Sequence, residues 1–386
     1  MKILYIKNNF FLSEDIEEAF FRLNCSLVYH LAPTDKEENN AVYLSSFLSV
    51  VKENSPAFVF SQNFYPFISL ACGVLGIAYV AWLTEGYQRD YYSPTIRNEW
   101  NYIFAADSAV YKDLQNLGVK NVFFLPLGAP YMDKDVEINS KEEERFSADV
   151  SMIGTILARE EFIYNPISLS SPLKDATKGY LEGCIACQYQ FHGMQPICSN
   201  IPAYIWDDLV SAYPPELDNT LLTAQKYYEY TFFNSLITYA DRALHLKSYT
   251  REGYQKIHLY SKNVNYSLEK IENKGVADYH KELPIIARKS RVNLVITHRN
   301  DRAMIPPSAW MIMAAEGFLI SNNQKDYNIL ENSPITYHTA KEMLCLSEYY
   351  YHHEQERKEI ANKIANEIRK KHLYIHRIEE MLSVIY

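Results

Sequence analysis

Residues 298–302, His-Arg-Asn-Asp-Arg, set two guanidinium groups in a short polar loop that follows a strand-like run over 292–297. Arginine offers five donors in a planar fork that suits the oxygens of a diphosphate. The same residues also suit a solvated loop with internal ion pairs, and their pattern alone leaves both readings open. Just beyond, Ile305, Pro306, Pro307 and Ser308 lead into a helical stretch over 309–315 that closes at Gly317. The free N–H groups and dipole of a helix start favour an anion, although an ordinary sheet-covering helix has the same signature. Neither G-x-x-x-x-G-K-[ST] nor G-x-G-x-x-G occurs, which disfavours ATPases, kinases and simple NAD enzymes.

Cys184 and Cys187 have the C-x-x-C spacing of a zinc or redox site. Zinc needs four ligands, and only His192 and Cys198 stand near, so we expect the pair to pack as small hydrophobes on a helix. His280, His298, His352, His353, His372 and His376 are scattered along the chain. His352 and His353 read as a helical surface, and no metal site is expected.

These residues need a scaffold, and composition bounds it. The 386 residues are 48% hydrophobic, enough for substantial cores, and the net charge of −9 disfavours general nucleic-acid binding. Six cysteines in such a length argue for a reducing compartment rather than a disulfide framework. The longest apolar-rich region, 67–83, is interrupted by Ser69, Gly73 and Gly76 and cannot span a bilayer. The chain opens directly on a strand-like pattern, so we expect no signal peptide and a cytoplasmic protein.

Over the first 130 residues, strand and helix patterns alternate, with strands near 2–6, 26–31, 57–61, 79–83, 102–105 and 122–125. Ser13 is the expected N-cap of the first helix and Gly76 the expected C-cap of another. The alternation predicts a parallel sheet covered on both faces, with ligands beyond the strand carboxyl ends. Residues 132–150 are densely charged and read as an inter-domain linker. A strand restarts at 150–155, residues 168–246 look helical, alternation resumes over 257–322, and 354–385 has helical spacing. This predicts domains at 1–131 and 151–365, with a helical insertion around 168–246 in the second. A final helix over 366–386 has Leu373, Ile375, Ile378 and Leu382 spaced for one broad buried face.

Several segments, in order, carry a family likeness: FVFSQNFYP (58–66), GIAYVAWLTE (76–85), VFFLPLGA (122–129), SADVSMIGT (147–155), GYLEGCIACQYQFHG (179–193), GVADYHKELPIIARKSRVNLVIT (275–297), 317–322 and HLYIHRIEEML (372–382). They resemble the CgeB-like, spore-maturation-protein-like glycosyltransferases with their N-terminal domain. The resemblance implies an α/β GT-B architecture: two Rossmann-like domains facing across a cleft, and a C-terminal helix crossing back. It implies a nucleotide-sugar co-substrate, no cofactor and no metal, and a glycan, lipid-linked or protein acceptor, with peripheral membrane association left open. Carried over by position, Arg299, Asp278 and Tyr279 match donor-side residues, joined by Thr297, His298, Arg302 and Ser308; Asn63 and Phe64 lie on the acceptor side. Glu85 matches a place where the family often has Asp, and is the expected general base if the enzyme inverts. The pattern departs in three places. Pro307 and Ser308 stand where Leu and Arg are usual, Met311 occupies an acidic position, and Glu316 replaces a Gly, from where it would contact the donor ribose. Ser308 and Met311 motivate an alternative: a non-catalytic GT-B scaffold or partner subunit with a degenerate donor site.

Overall fold

The computed structural model describes residues 1–8, 10–33, 41–132, 139–156, 171–190, 201–250, 253–262 and 269–386. Two six-stranded, wholly parallel sheets carry it. The first contains β1 (Lys2–Lys7), β2 (Ser26–Leu31), β3 (Phe58–Gln62), β4 (Tyr79–Leu83), β5 (Asn101–Ala105) and β6 (Val122–Phe124), ordered β2-β1-β3-β4-β5-β6. β3 and β4 are buried along their whole length, as unbroken apolar runs must be when helices cover both faces. Those helices are α1 (Ser13–Arg22), α2 (Ala41–Asn54), α3 (Pro66–Leu75) and α4 (Ser108–Asn116). α3 ends at a left-handed Gly76, as expected. Ser13 is not a cap: it is the first helical residue, and its hydroxyl donates instead to Gln62 Oε1 at 2.6 Å.

The second half begins inside the charged region. Asn139 and Glu142 form a reciprocal capping box on α5 (Ser140–Phe146), and β7 (Ala148–Ile153) follows at once. Part of the expected linker is therefore ordered helix and strand, because its charges lie on the exposed side of a helix anchored by buried Phe146. The helical layer comprises α6 (Asp175–Gln190), α7 (Ala203–Ala212), α8 (Ala224–Tyr228), a π-helical turn (Glu229–Phe233) and α9 (Asn234–Tyr249). Then come β8 (Ile257–Tyr260), β9 (Ile271–Asn273), α10 (Leu283–Lys289), β10 (Ser290–Val295), α11 (Pro307–Ala314), β11 (Leu319–Asn322), β12 (Ile335–Tyr337) and α12 (Ala340–His352). The sheet order is β12-β11-β10-β7-β8-β9. Cys184 packs partly against the apolar core of the helical layer, but Cys187 is exposed, so the pair does not pack together as expected. Cys198 and His192 lie outside the described residues.

The C-terminal helical pattern divides at residues 372–373 into α13 (Glu354–Lys371) and α14 (Tyr374–Ile385). α13 packs on α11, and α14 crosses to α1 of the first half. The crossing is pinned by backbone bonds from Ala129 N–H to His372 O (2.9 Å) and from Tyr374 N–H to Ala129 O (3.0 Å). Tyr374, Ile378 and Met381 form the buried stripe, while Leu373, Ile375 and Leu382 only border it. That stripe joins Tyr5, Phe60 and Trp82 of the first sheet and Trp310 and Met313 of α11 in one apolar core shared by both halves.

Candidate active site

Both sheets reverse their strand order once, between β1 and β3 in the first and between β7 and β10 in the second. In open parallel sheets the crevice outside such a reversal is where ligands bind. The carboxyl edges of the two sheets face each other: Gly86, after β4, donates its N–H to Asp301 Oδ1 at 3.1 Å, and Ser108, after β5, donates to Asp326 Oδ2 at 3.0 Å. Asp107 Oδ2 accepts from the Ala303 N–H at 3.1 Å.

On the first edge, Asn63 is buried in a left-handed conformation with φ 62. Its Oδ1 accepts from Thr84 N–H (2.9 Å), Thr84 Oγ1 (3.1 Å) and Tyr91 Oη (2.5 Å), and its Nδ2 donates to Glu85 Oε1 at 3.2 Å. Asn63 thereby ties the end of β3 to the end of β4 and orients Glu85. Burial raises the Glu85 pKa above the usual carboxylate value, opposed by hydrogen bonds from Gln88 and Asn63. Phe64 does not face the cleft. It packs on Tyr79 with ring centroids 5.7 Å apart and is 1% exposed, a core residue rather than an acceptor contact.

The second edge is basic, but its charges are already engaged. Arg299 sends Nε (2.9 Å) and Nη2 (2.6 Å) to Asp241 Oδ2, on buried α9. Arg302 Nη2 meets Asp113 Oδ2 of α4 at 2.8 Å and lies over the Tyr230 ring, while Lys226 reaches the same carboxylate at 2.9 Å. The loop is half-buried and its arginines are paired not within it but with carboxylates on other elements. His298 Nδ1 accepts the Asn300 N–H at 3.1 Å, and burial, with the Arg242 charge, lowers its pKa to about 3, leaving a neutral imidazole. Thr297 donates its N–H to Asn322 Oδ1 at 2.8 Å, and its buried hydroxyl has no hydrogen-bond partner among the described residues.

α11 offers less to an anion than its position suggests. Pro307 has no N–H, and the Ala309 and Trp310 amides already bond Pro306 O at 3.0 and 3.2 Å, which leaves the Ser308 amide. Met311 is 1% exposed, within the shared core. Glu316 is misplaced for a ribose contact: α11 returns toward the strands' amino edge, and Glu316, just past its end, pairs there with Arg369 at 2.5 Å. Asp278 is exposed and spends its carboxylate on the His280 (3.0 Å) and Lys281 (2.8 Å) amides. Tyr279 spans the halves, donating to Pro307 O at 3.1 Å and packing edge-on against Phe11 at 4.8 Å.

Sequence reasoning missed Arg242. Its guanidinium bridges the carboxyl ends of β7 and β10, with Nη1 on Thr155 O (2.7 Å) and Nε on Ile296 O (3.0 Å), at the strand-order reversal itself. Gly154 gives it room, since a Cβ there would lie 3.3 Å from Arg242 Cζ. Burial lowers its pKa to about 10, so it stays a cation at neutral pH. Asp301, which feels both Arg242 and Glu85, links the two edges; burial, foremost, raises it to about 7. No motif marks Arg242, which sits mid-helix behind Asp241.

Residues 242–383 match the model of a family described as glycosyl transferase-like. No curated protein matches the chain. Among solved structures, sucrose-phosphate synthase of Thermosynechococcus elongatus superposes with a TM-score of 0.56 at 7% identity, over 100% of this chain and 98% of that one. Anabaena HepE bound to UDP gives 0.52 at 9%, over 99% and 100%, and its complex with UDP-glucose gives 0.52 at 12%, over 99% of each. The fold is that of the GT-B glycosyltransferases. Within this GT-B chain, no group of three His, Cys, Asp or Glu side chains among the described residues could hold a metal ion, and no described helix is long and apolar enough to cross a membrane.

Proposed function

We propose that this chain is a metal-independent glycosyltransferase of the CgeB-like branch, moving a sugar from a nucleotide donor to a glycan, lipid-linked or protein acceptor. The observation that carries the reading is Arg242, a cation held at the strand-order reversal of the second sheet, opposite the half-buried Glu85 of the first. Residues 1–131 serve the acceptor and 151–365 the donor. A uridine diphosphate donor is the first choice, since HepE, of the same fold, was solved with UDP and UDP-glucose.

In this reading the acceptor hydroxyl attacks the anomeric carbon, and the bond from that carbon to the diphosphate oxygen breaks. Glu85 takes the hydroxyl proton; its raised pKa brings it nearer to neutrality, where a general base works best. Arg242 and the Ser308 amide meet the charge on the departing nucleoside diphosphate, with buried Thr297 beneath them at the end of the strand. Asn63 and Asp301 position these groups, and Tyr279 closes the side. The unpaired thiols of the five described cysteines suit a cytoplasmic site of action.

A second reading, a GT-B scaffold without turnover, is favoured by the Arg299–Asp241 and Arg302–Asp113 pairs, which neutralise the loop cations, and by buried Met311. The test is a donor panel of UDP-, GDP-, CMP- and dTDP-sugars followed by thermal shift and by donor hydrolysis. A bound donor raises the melting point by mass action. Arg242→Gln should weaken that binding roughly tenfold or more, the worth of a charge-assisted hydrogen bond. Glu85→Gln should keep binding and lose ~10²–10⁴-fold in turnover. Binding without turnover in the parent protein supports the scaffold; no response to any donor refutes a donor site.

A further inference from the structure

At the opposite end of the second sheet, away from the cleft, lies a cavity of about 510 Å³. It is walled by the ends of α10 and α12, the start of α13 and the amino ends of β10 and β11, with Phe318 and Tyr351 among its lining side chains. β10 has six residues, which puts this cavity ~17–20 Å from the strand's carboxyl end. Its charge runs against that of the molecule. Five cationic side chains line it, Arg288, Lys289, Arg291, Arg357 and Lys358, in a chain with a net charge of −9.

Two of these cations form no direct ion pair among the described residues, although the Glu354 charge is felt by Arg357. Arg357 is 8% exposed, and its Nη1 is used on the carbonyls of Tyr350 and Tyr351. Arg288 sends Nε to Ala315 O at 3.0 Å. Neither has a carboxylate within 4.0 Å among the described residues. The two carboxylates that line the cavity are taken by other cations, Glu316 by Arg369 at 2.5 Å and Glu354 by Lys358 at 2.6 Å. Ser290 also borders the cavity; it is 6% exposed, and its buried hydroxyl has no hydrogen-bond partner among the described residues. A charge taken largely out of water without an ion pair is costly. An anion held in the cavity would give both arginines a partner.

We propose that this cavity is a second, non-catalytic anion site that takes a phosphate group on Arg288 and Arg357. The phosphate is either free or carried by a small metabolite whose body rests on Phe318 and Tyr351. The site stands apart from the proposed transfer reaction and does not depend on it.

The experiment is hydrogen exchange on the full chain at fixed ionic strength, with chloride replaced by inorganic phosphate in one arm and by a hexose phosphate in another. Either ligand should slow exchange over 286–291 and 350–358. Tighter binding of the hexose phosphate would identify a metabolite site, and equal binding a site for the phosphate alone. Arg288→Gln should weaken the protection tenfold or more. Arg357→Gln should do as Arg288→Gln does, but it also loses bonds that join α12 to α13, so Arg288→Gln decides the matter if that variant fails to fold. Unchanged exchange in both segments with both ligands, or equal protection in Arg288→Gln, overturns the proposal.

Discussion

The two carboxyl edges that face each other are built on opposite principles. The first edge is acidic, and Asn63, Thr84 and Tyr91 satisfy one another there with neutral hydrogen bonds. The second is basic, and its arginines reach distant partners: Arg299 to α9, Arg302 to α4 across the interface, and Arg242 to two strand ends. The polar core of the first edge is knit by neutral hydrogen bonds among its own strand ends, and only Gly86, Asp107 and Ser108 bond across the seam among the contacts named above. The second is held by ion pairs that only the assembled fold supplies, so its charges double as struts, and changing one alters stability and binding together.

The largest test of that contrast removes what holds the edges together. Deleting residues 373–386 takes Tyr374, Ile378 and Met381 out of the shared core, each worth roughly 1.5–3 kcal/mol. Thermal unfolding should show a loss of several kcal/mol, with exposed apolar surface read by dye binding. An unchanged melting point would mean that the halves dock without α14.

Arg299→Ala comes next. Because its guanidinium neutralises the 1%-exposed Asp241, its loss should cost ~3–5 kcal/mol of stability, the usual penalty for stranding a buried charge. Asp241→Asn in the same chain should recover much of that loss in a double-mutant cycle, separating strut from ligand contact. If Arg299→Ala melts like the parent, the second edge is no more interdependent than the first.

Gly86→Ala probes the seam itself. A Cβ there would lie 2.1 Å from the Asn300 carbonyl oxygen, so backbone must move, and overpacking of this kind costs ~1–3 kcal/mol. Faster hydrogen exchange should appear at 84–88 and 298–303 together; a change on one side alone would show the edges to be uncoupled.

The smallest expected effect is a matter of pH. Burial raises the Asp301 pKa to about 7 from an ordinary 3.8, so the folded state holds a proton that the unfolded chain releases. The stability this gives is fully present below about pH 4 and is lost as pH rises through 7. Asp301→Asn keeps an acceptor for the Gly86 N–H and cannot ionise. Its melting point relative to the parent should therefore climb from pH 5 to pH 8; a constant difference would mean that Asp301 ionises freely in the seam.

Hydrophobic alternation determined both sheets, because burial of apolar runs is a local demand that any parallel sheet must meet, while glycine marked the Gly76 helix end and helical spacing the C-terminal pattern. It could not tell a charged linker from a charged helix, since α5 exposes the same residues either way. The position of Glu85 and the loop over 297–302 at strand ends was also legible, because a loop's place follows from its strand. What the arginines do there was decided only by tertiary structure. An arginine's partner is set by whichever carboxylate the fold brings within a few ångströms, and Asp241 and Asp113 lie 58 and 189 residues away in sequence. The same holds for Arg242, whose place between two strand ends exists only once α9 packs across them, and for Phe64 and Glu316, which face the core and the far edge.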